Sequence, residues 1–105
     1  MPLPPLTPEQ RAAALEKAAL ARKQRAELKE RLKKAETTLA AVLEQADADE
    51  VVGKMKVSAV LESLPGVGRV RAQKIRERLG ISPTRRLRGL GAKQRAALLA
   101  EFGGA

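Results

Sequence analysis

Between Glu9 and Lys34 the chain contains no glycine or proline, and Ala, Leu, Glu, Lys and Arg fill almost every position. These residues favour helix over other backbone states, so the stretch is committed to a single helix of about 27 residues, roughly 40 Å long. Its start is marked by Thr7-Pro8-Glu9-Gln10: Thr7 as N-cap, Pro8 at the first helical position and Gln10 placed to close a capping box. The apolar positions Ala14, Ala18, Ala21, Leu28, Leu32 and Ala35 follow helical spacing, but the first three offer only a methyl group. Glu27 with Arg31 and Glu30 with Lys34 form i,i+4 pairs in the favourable order. The N-terminal half is therefore expected to project from the body. Met1 to Leu6, with three prolines, reads as an extended arm.

The remainder carries signals for shorter helices. Thr37 or Thr38 caps a segment in which Leu39, Val42, Leu43 and Ala46 share a face, and Gly53 ends the following turn. Lys56 to Leu64 places Val57, Val60, Leu61 and Leu64 inward before Pro65-Gly66 stops it. Arg69 to Leu79 is expected to bury Val70, Ala72, Ile75 and Leu79, with Gly80 as its C-terminal cap. A basic connector follows from Ser82-Pro83-Thr84 to Gly89-Leu90-Gly91, and Ala92 to Phe102 closes the chain with Leu98, Leu99 and Phe102 apolar. No segment alternates as a strand would, so the fold class is all-α. The expected organisation is an arm (1–6), a long helix (7–35) and a helical body (36–105), all in one domain.

Twenty-one Lys and Arg against twelve Asp and Glu give a formal charge of +9, which points to a polyanionic partner. The charge is unevenly placed. Residues 1–34 carry nine basic and four acidic groups, residues 35–53 five acidic and no basic ones, and residues 54–105 twelve basic and three acidic ones. With neither Cys nor His, disulfide, thiolate and transition-metal chemistry lose their usual residues, and no cofactor or metal is implied. The apolar runs are too short for a bilayer and residues 1–20 lack a signal-peptide pattern, so the expected location is cytoplasmic, with no membrane partner. Phe102 is the one aromatic residue. Single-strand binders stack bases on aromatic rings, so a duplex held by its phosphates is favoured.

The segment Leu64-Pro65-Gly66-Val67-Gly68-Arg69-Val70-Arg71-Ala72-Gln73-Lys74-Ile75 is the most informative. Two glycines two apart open backbone conformations closed to other residues, letting amide N–H groups converge on one phosphate at the positive end of the next helix. Val67 is placed to plug the turn into the core, while Arg69, Arg71 and Lys74 reach towards flanking phosphates, although Arg69 and Arg71 need not share a face. The bland alternative is an ordinary helix–helix turn. A dinucleotide fingerprint fails because position 71, which needs a third glycine, is Arg71, and no Walker loop occurs.

The second constellation is Thr84-Arg85-Arg86-Leu87-Arg88-Gly89-Leu90-Gly91, followed by Lys93 and Arg95. Three arginines in four residues repel one another unless an anion lies between them, and their planar forks match phosphate oxygens. The alternative is a solvated basic loop. A third candidate is the wet face of the first helix, with Arg11, Arg22, Lys23, Arg25, Lys29, Lys33 and Lys34; Lys54 and Lys56 are similar.

The hairpin segment resembles the turn of helix-hairpin-helix and helix-two-turns-helix proteins. Taken with Leu6 to Ala18, Val52-Gly53-Lys54-Met55-Lys56-Val57-Ser58-Ala59 and Arg85 to Gly91, the chain resembles the actinobacterial integration host factor family over nearly its whole length. The resemblance implies a helix-two-turns-helix body packed against a long N-terminal helix. It further implies a monomeric nucleoid-associated protein that binds double-stranded DNA with little sequence preference, compacts or restrains it, and assists phage integrase in site-specific recombination. On this chain the implied DNA contacts are Leu64, Pro65, Gly66, Val67, Gly68, Arg69, Val70, Arg71 and Lys74 around the hairpin, and Ser82, Thr84, Arg85, Arg86, Arg88, Lys93 and Gln94 in a lid-like second contact. Position 69 is Arg where the family often has Lys.

Catalysis is not expected. Related modules occur in DNA glycosylases with an N-terminal proline nucleophile, and Pro2 is present, but position 3 is Leu rather than a catalytic acid and the chain is short for a base-flipping pocket. The stronger rival is a structured-RNA, ribosomal role. An adaptor role for the acidic segment 35–53 is compatible with DNA binding.

Overall fold

The computed structural model describes residues 5–102. Among them are six α-helices: α1 (Pro8–Lys33), α2 (Leu39–Ala48), α3 (Glu50–Gly53), α4 (Val57–Ser63), α5 (Gly68–Arg78) and α6 (Ala92–Glu101). A 3-10 turn, Leu87–Gly89, lies between α5 and α6. The all-α architecture thus follows the sequence pattern. Residues 1–4 of the expected arm, with Pro2, lie outside the described residues.

The capping box of α1 forms as its sequence dictates, with the Gln10 amide donating to Thr7 Oγ1 at 3.1 Å and the Thr7 amide to Gln10 Oε1 at 3.0 Å. Every residue from Pro8 to Leu20 is exposed, and burial begins in earnest at Leu28 and Leu32. The projecting half therefore stands on helix propensity and its cap rather than on packing. The radius of gyration, 15.9 Å, exceeds the about 13 Å of a compact chain of 100 residues for this reason. Of the two expected i,i+4 pairs, Glu30 and Lys34 close, at 3.9 Å.

Two expectations for apolar positions are corrected. Ala35 does not extend the buried stripe of α1: it is exposed, and its φ of 57° ends the helix in the left-handed conformation that usually falls to glycine. Val70 is 67% exposed rather than buried. The inner face of α5 is set by Ala72, Ile75 and Arg76, and position 70 lies about 200° around the helix from 72, on the outer side.

The core joins Leu28 and Leu32 of α1 to Leu39, Val42 and Leu43 of α2, Val52 of α3, Val57, Val60 and Leu61 of α4, Ala72 and Ile75 of α5, and Leu98 of α6. Thr38 caps α2 through the Ala41 amide. Asp49 performs several tasks at once: its carboxylate accepts the Val51 and Val52 amides at 2.9 and 3.3 Å and the Gln24 side-chain amide of α1 at 2.6 Å. That carboxylate ties α1 to the α2–α3 corner.

Candidate nucleic-acid interface

The turn between α4 and α5 forms because Leu64 is extended, Gly66 has φ 74° and Gly68 has φ 67°. A β-carbon at either glycine would meet nothing within 4 Å, so the requirement is for the left-handed backbone rather than for space. Val67, between them, is 8% exposed and anchors the turn in the core. Its own amide is spent on the Leu64 carbonyl at 3.2 Å, whereas the amides of Gly66, Gly68, Arg69 and Val70 donate to no group among the described residues. These donors sit at the N-terminal end of α5, where its dipole is positive.

The basic side chains of the hairpin diverge. Arg69 reaches back to Glu62 at 3.8 Å with 89% of its side chain exposed, a contact worth little in water. Arg71 lies over the turn, its Nη1 3.5 Å from the Gly66 carbonyl, and Lys74 is exposed one turn further on. Val70 and Lys74 therefore share the outer face with the open amides.

The connector after α5 is held at both ends. Gly80 adopts φ 70° and lets the chain turn, and the Ile81 amide returns to the Arg76 carbonyl at 2.9 Å. Further along, the Val57 amide donates to the Arg85 carbonyl and the Leu87 amide to the Met55 carbonyl, both at 2.9 Å, giving an isolated antiparallel bridge between Lys56 and Arg86. Leu87 is buried beneath, so the arginines around it face outward. Arg85 wraps its guanidinium onto the Gly89 carbonyl at 2.9 Å, and Arg86 donates to the Lys54 carbonyl at 2.6 Å. Arg88 crosses over Gly53, where a β-carbon would come within 3.4 Å of it and 2.9 Å of the Ala46 carbonyl. Arg85, Arg86 and Arg88, with Ser82, Thr84 and Gly89, line one open basin.

Other candidates serve the fold. Gln94 donates to the Gly80 carbonyl and accepts the Gly91 amide, both at 3.1 Å, so its side chain buttresses the connector instead of presenting a free amide. Arg95 makes a bidentate pair with Asp47 at 3.0 Å, and this hydrogen bonding holds the Asp47 carboxyl below its ordinary range. Arg78 is bonded to Glu101, which lowers that carboxyl likewise. Glu50 is lowered by its bond to Lys54 at 2.7 Å. Much of the acidic segment is thus engaged within the protein. Lys93 is exposed, as are Arg11, Arg22, Lys23, Lys33 and Lys34, while Arg25 and Lys29 are half-buried against the body.

Nothing in the sequence marks Arg76. It is 9% exposed, donates to the Ile81 carbonyl at 3.1 Å and leaves its Nε without a partner. Leu87 carried a usable signal: a lone leucine amid arginines is a natural anchor.

Two helices joined by a tight glycine turn, with a connector folded back on the first of them, define a helix-two-turns-helix protein. The S13-like H2TH domain family matches residues 32–102. The chain is 66% identical over 103 residues to "Integration host factor" of Streptomyces coelicolor, covering 98% of this chain and 96% of that one. It is 67% identical over 105 residues to "Integration host factor" of Mycobacterium tuberculosis, covering all of both. A solved structure described as "Structure of sIHF bound to an 8bp palindromic DNA" agrees with a TM-score of 0.82 at 61% identity, covering 84% of this chain and 99% of that one. The chain belongs to the integration host factor family of these actinobacterial proteins.

Proposed function

We propose that this protein is a nucleoid-associated, non-enzymatic factor that grips the sugar-phosphate backbone of double-stranded DNA with little regard to sequence. The observation that carries the reading is the pair of anion-ready surfaces at opposite ends of α4: the open amides of Gly66, Gly68, Arg69 and Val70, and the basin of Arg85, Arg86 and Arg88. The seven-residue helix between them is about 10 Å long, comparable with duplex groove widths of roughly 6 to 12 Å. Backbone amides and arginine forks suit phosphate oxygens.

In this reading Leu64, Pro65 and Val67 act by shaping the turn, and Val70, Arg71 and Lys74 extend it along the backbone. Ser82, Thr84 and Lys93 flank the arginines, while Gln94 holds the connector in place. The bound protein acts as a monomer, shapes or condenses the DNA, and assists phage integrase in recombination. Duplex DNA is favoured over structured RNA because a relative 61% identical is described as bound to DNA. Binding titrations on duplexes of unrelated sequence and on a folded RNA test this. Similar affinity for all duplexes, weakening steeply with salt and exceeding that for RNA, is the expected result; preference for the RNA would overturn it.

A further inference from the structure

We infer that the DNA backbone continues past the arginine basin into a second phosphate seat between α1 and the connector; this rests on the DNA-binding reading above. An open groove there is lined by Arg25 and Lys29 of α1, Lys54 and Lys56 of the α3–α4 link, and Arg86, over the buried Met55. Five cations converge and no carboxylate lines the groove; of the five, Lys54 alone has an acidic partner among the described residues, Glu50, at 2.7 Å.

Arg86 and Lys54 are bonded within the fold, but the other three cations are not. Arg25, Lys29 and Lys56 make no ion pair or side-chain hydrogen bond among the described residues, and Arg25 and Lys29 are half-buried rather than spread into solvent. Like charges held at close quarters repel, and a polyanion relieves that repulsion. Arg25 and Lys29 lie one helical turn apart on a helix fixed to the body by Leu28 and Leu32, so the seat is preorganised.

Arg86 selects the occupant. It lines both the basin and the groove, its guanidinium pinned to the Lys54 carbonyl between them, so the two surfaces form one track. A single strand of phosphates following that track passes from Arg85 over Arg86 to Arg25 and Lys29. The long helix therefore serves as a side wall for the same duplex.

The test compares Arg25→Ala with Lys29→Ala against Arg11→Ala with Lys23→Ala, which removes equal charge from exposed positions of the same helix. Circular dichroism establishes that both proteins fold. On a duplex of about two helical turns, the groove variant is expected to bind about tenfold more weakly and to lose close to two units of log–log salt slope, as two lost phosphate contacts require. Equal effects of the two double variants would overturn the seat. So would loss of duplex-to-duplex bridging with unchanged affinity for a single duplex, which would place a second DNA there. Failure of the underlying reading shows separately, as unimpaired binding by Arg85→Ala with Arg86→Ala.

Discussion

The backbone carbonyl of Arg85 accepts the amide of Val57 at 2.9 Å, so the arginine connector is bonded directly to the first turn of the helix that leads into the glycine hairpin. The two proposed DNA contacts are consequently parts of one rigid unit. Leu87, one ladder step on, bonds to Met55 and seals the joint from the core side.

Leu87→Ala is expected to cost about 2 to 5 kcal/mol of stability, the range for truncating a buried leucine. Affinity for duplex DNA should fall as well, although no charge is removed, because the connector loses its anchor. Denaturant unfolding and duplex titration of the same preparation check both. Unchanged affinity in a destabilised but folded protein would show that the arginines need no such mounting.

Gly68→Val removes the easy access to φ 67°, and since its β-carbon meets no tertiary neighbour within 4 Å, backbone strain is the main effect expected. The helices should remain, at a cost of about 1 to 2 kcal/mol for a side chain forced into the left-handed region. The hairpin amides should lose their arrangement, and with each charge-assisted hydrogen bond worth about 1.5 kcal/mol or more, affinity should drop roughly tenfold or further. Circular dichroism with a binding titration decides; a folded variant that binds normally removes the hairpin from the interface.

The elements that local chemistry controls were legible in the sequence: the Thr7 cap, the α2 face, the Pro65-Gly66 stop and the two glycines with Val67 between them. What failed depended on tertiary register. Val70 looked like a core residue until the turn fixed the start of α5 and rotated it outward. Arg76 was invisible because burying a guanidinium is favoured only where a carbonyl such as that of Ile81 happens to meet it. Likewise Arg95 read as one more cation of the connector, and only the approach of α2 supplies Asp47 as its partner.

Ala35→Gly should stabilise the protein. The native φ of 57° strains an alanine and suits a glycine, and the position is exposed, so no packing is lost. The gain is partly offset by the greater freedom of glycine in the unfolded chain, leaving about 0.5 to 1 kcal/mol. An upward shift of the thermal midpoint is expected, with DNA affinity unchanged; a downward shift would mean that the helix end is held by something other than this conformation.

The pairs Asp47–Arg95 and Glu101–Arg78 make stability depend on pH in a definite direction. Hydrogen bonding from arginine lowers both carboxyls from their ordinary values, 3.8 for Asp47 and 4.5 for Glu101. The folded state therefore binds fewer protons than the unfolded one, and the stabilisation is present above those ordinary values and lost as pH falls through the lower folded values. Asp47→Asn should flatten part of this acid limb while leaving stability above pH 6 only slightly reduced, as befits an exposed pair. Urea unfolding across the acid range measures it, and an acid limb identical in the two proteins would show that the pair does not contribute.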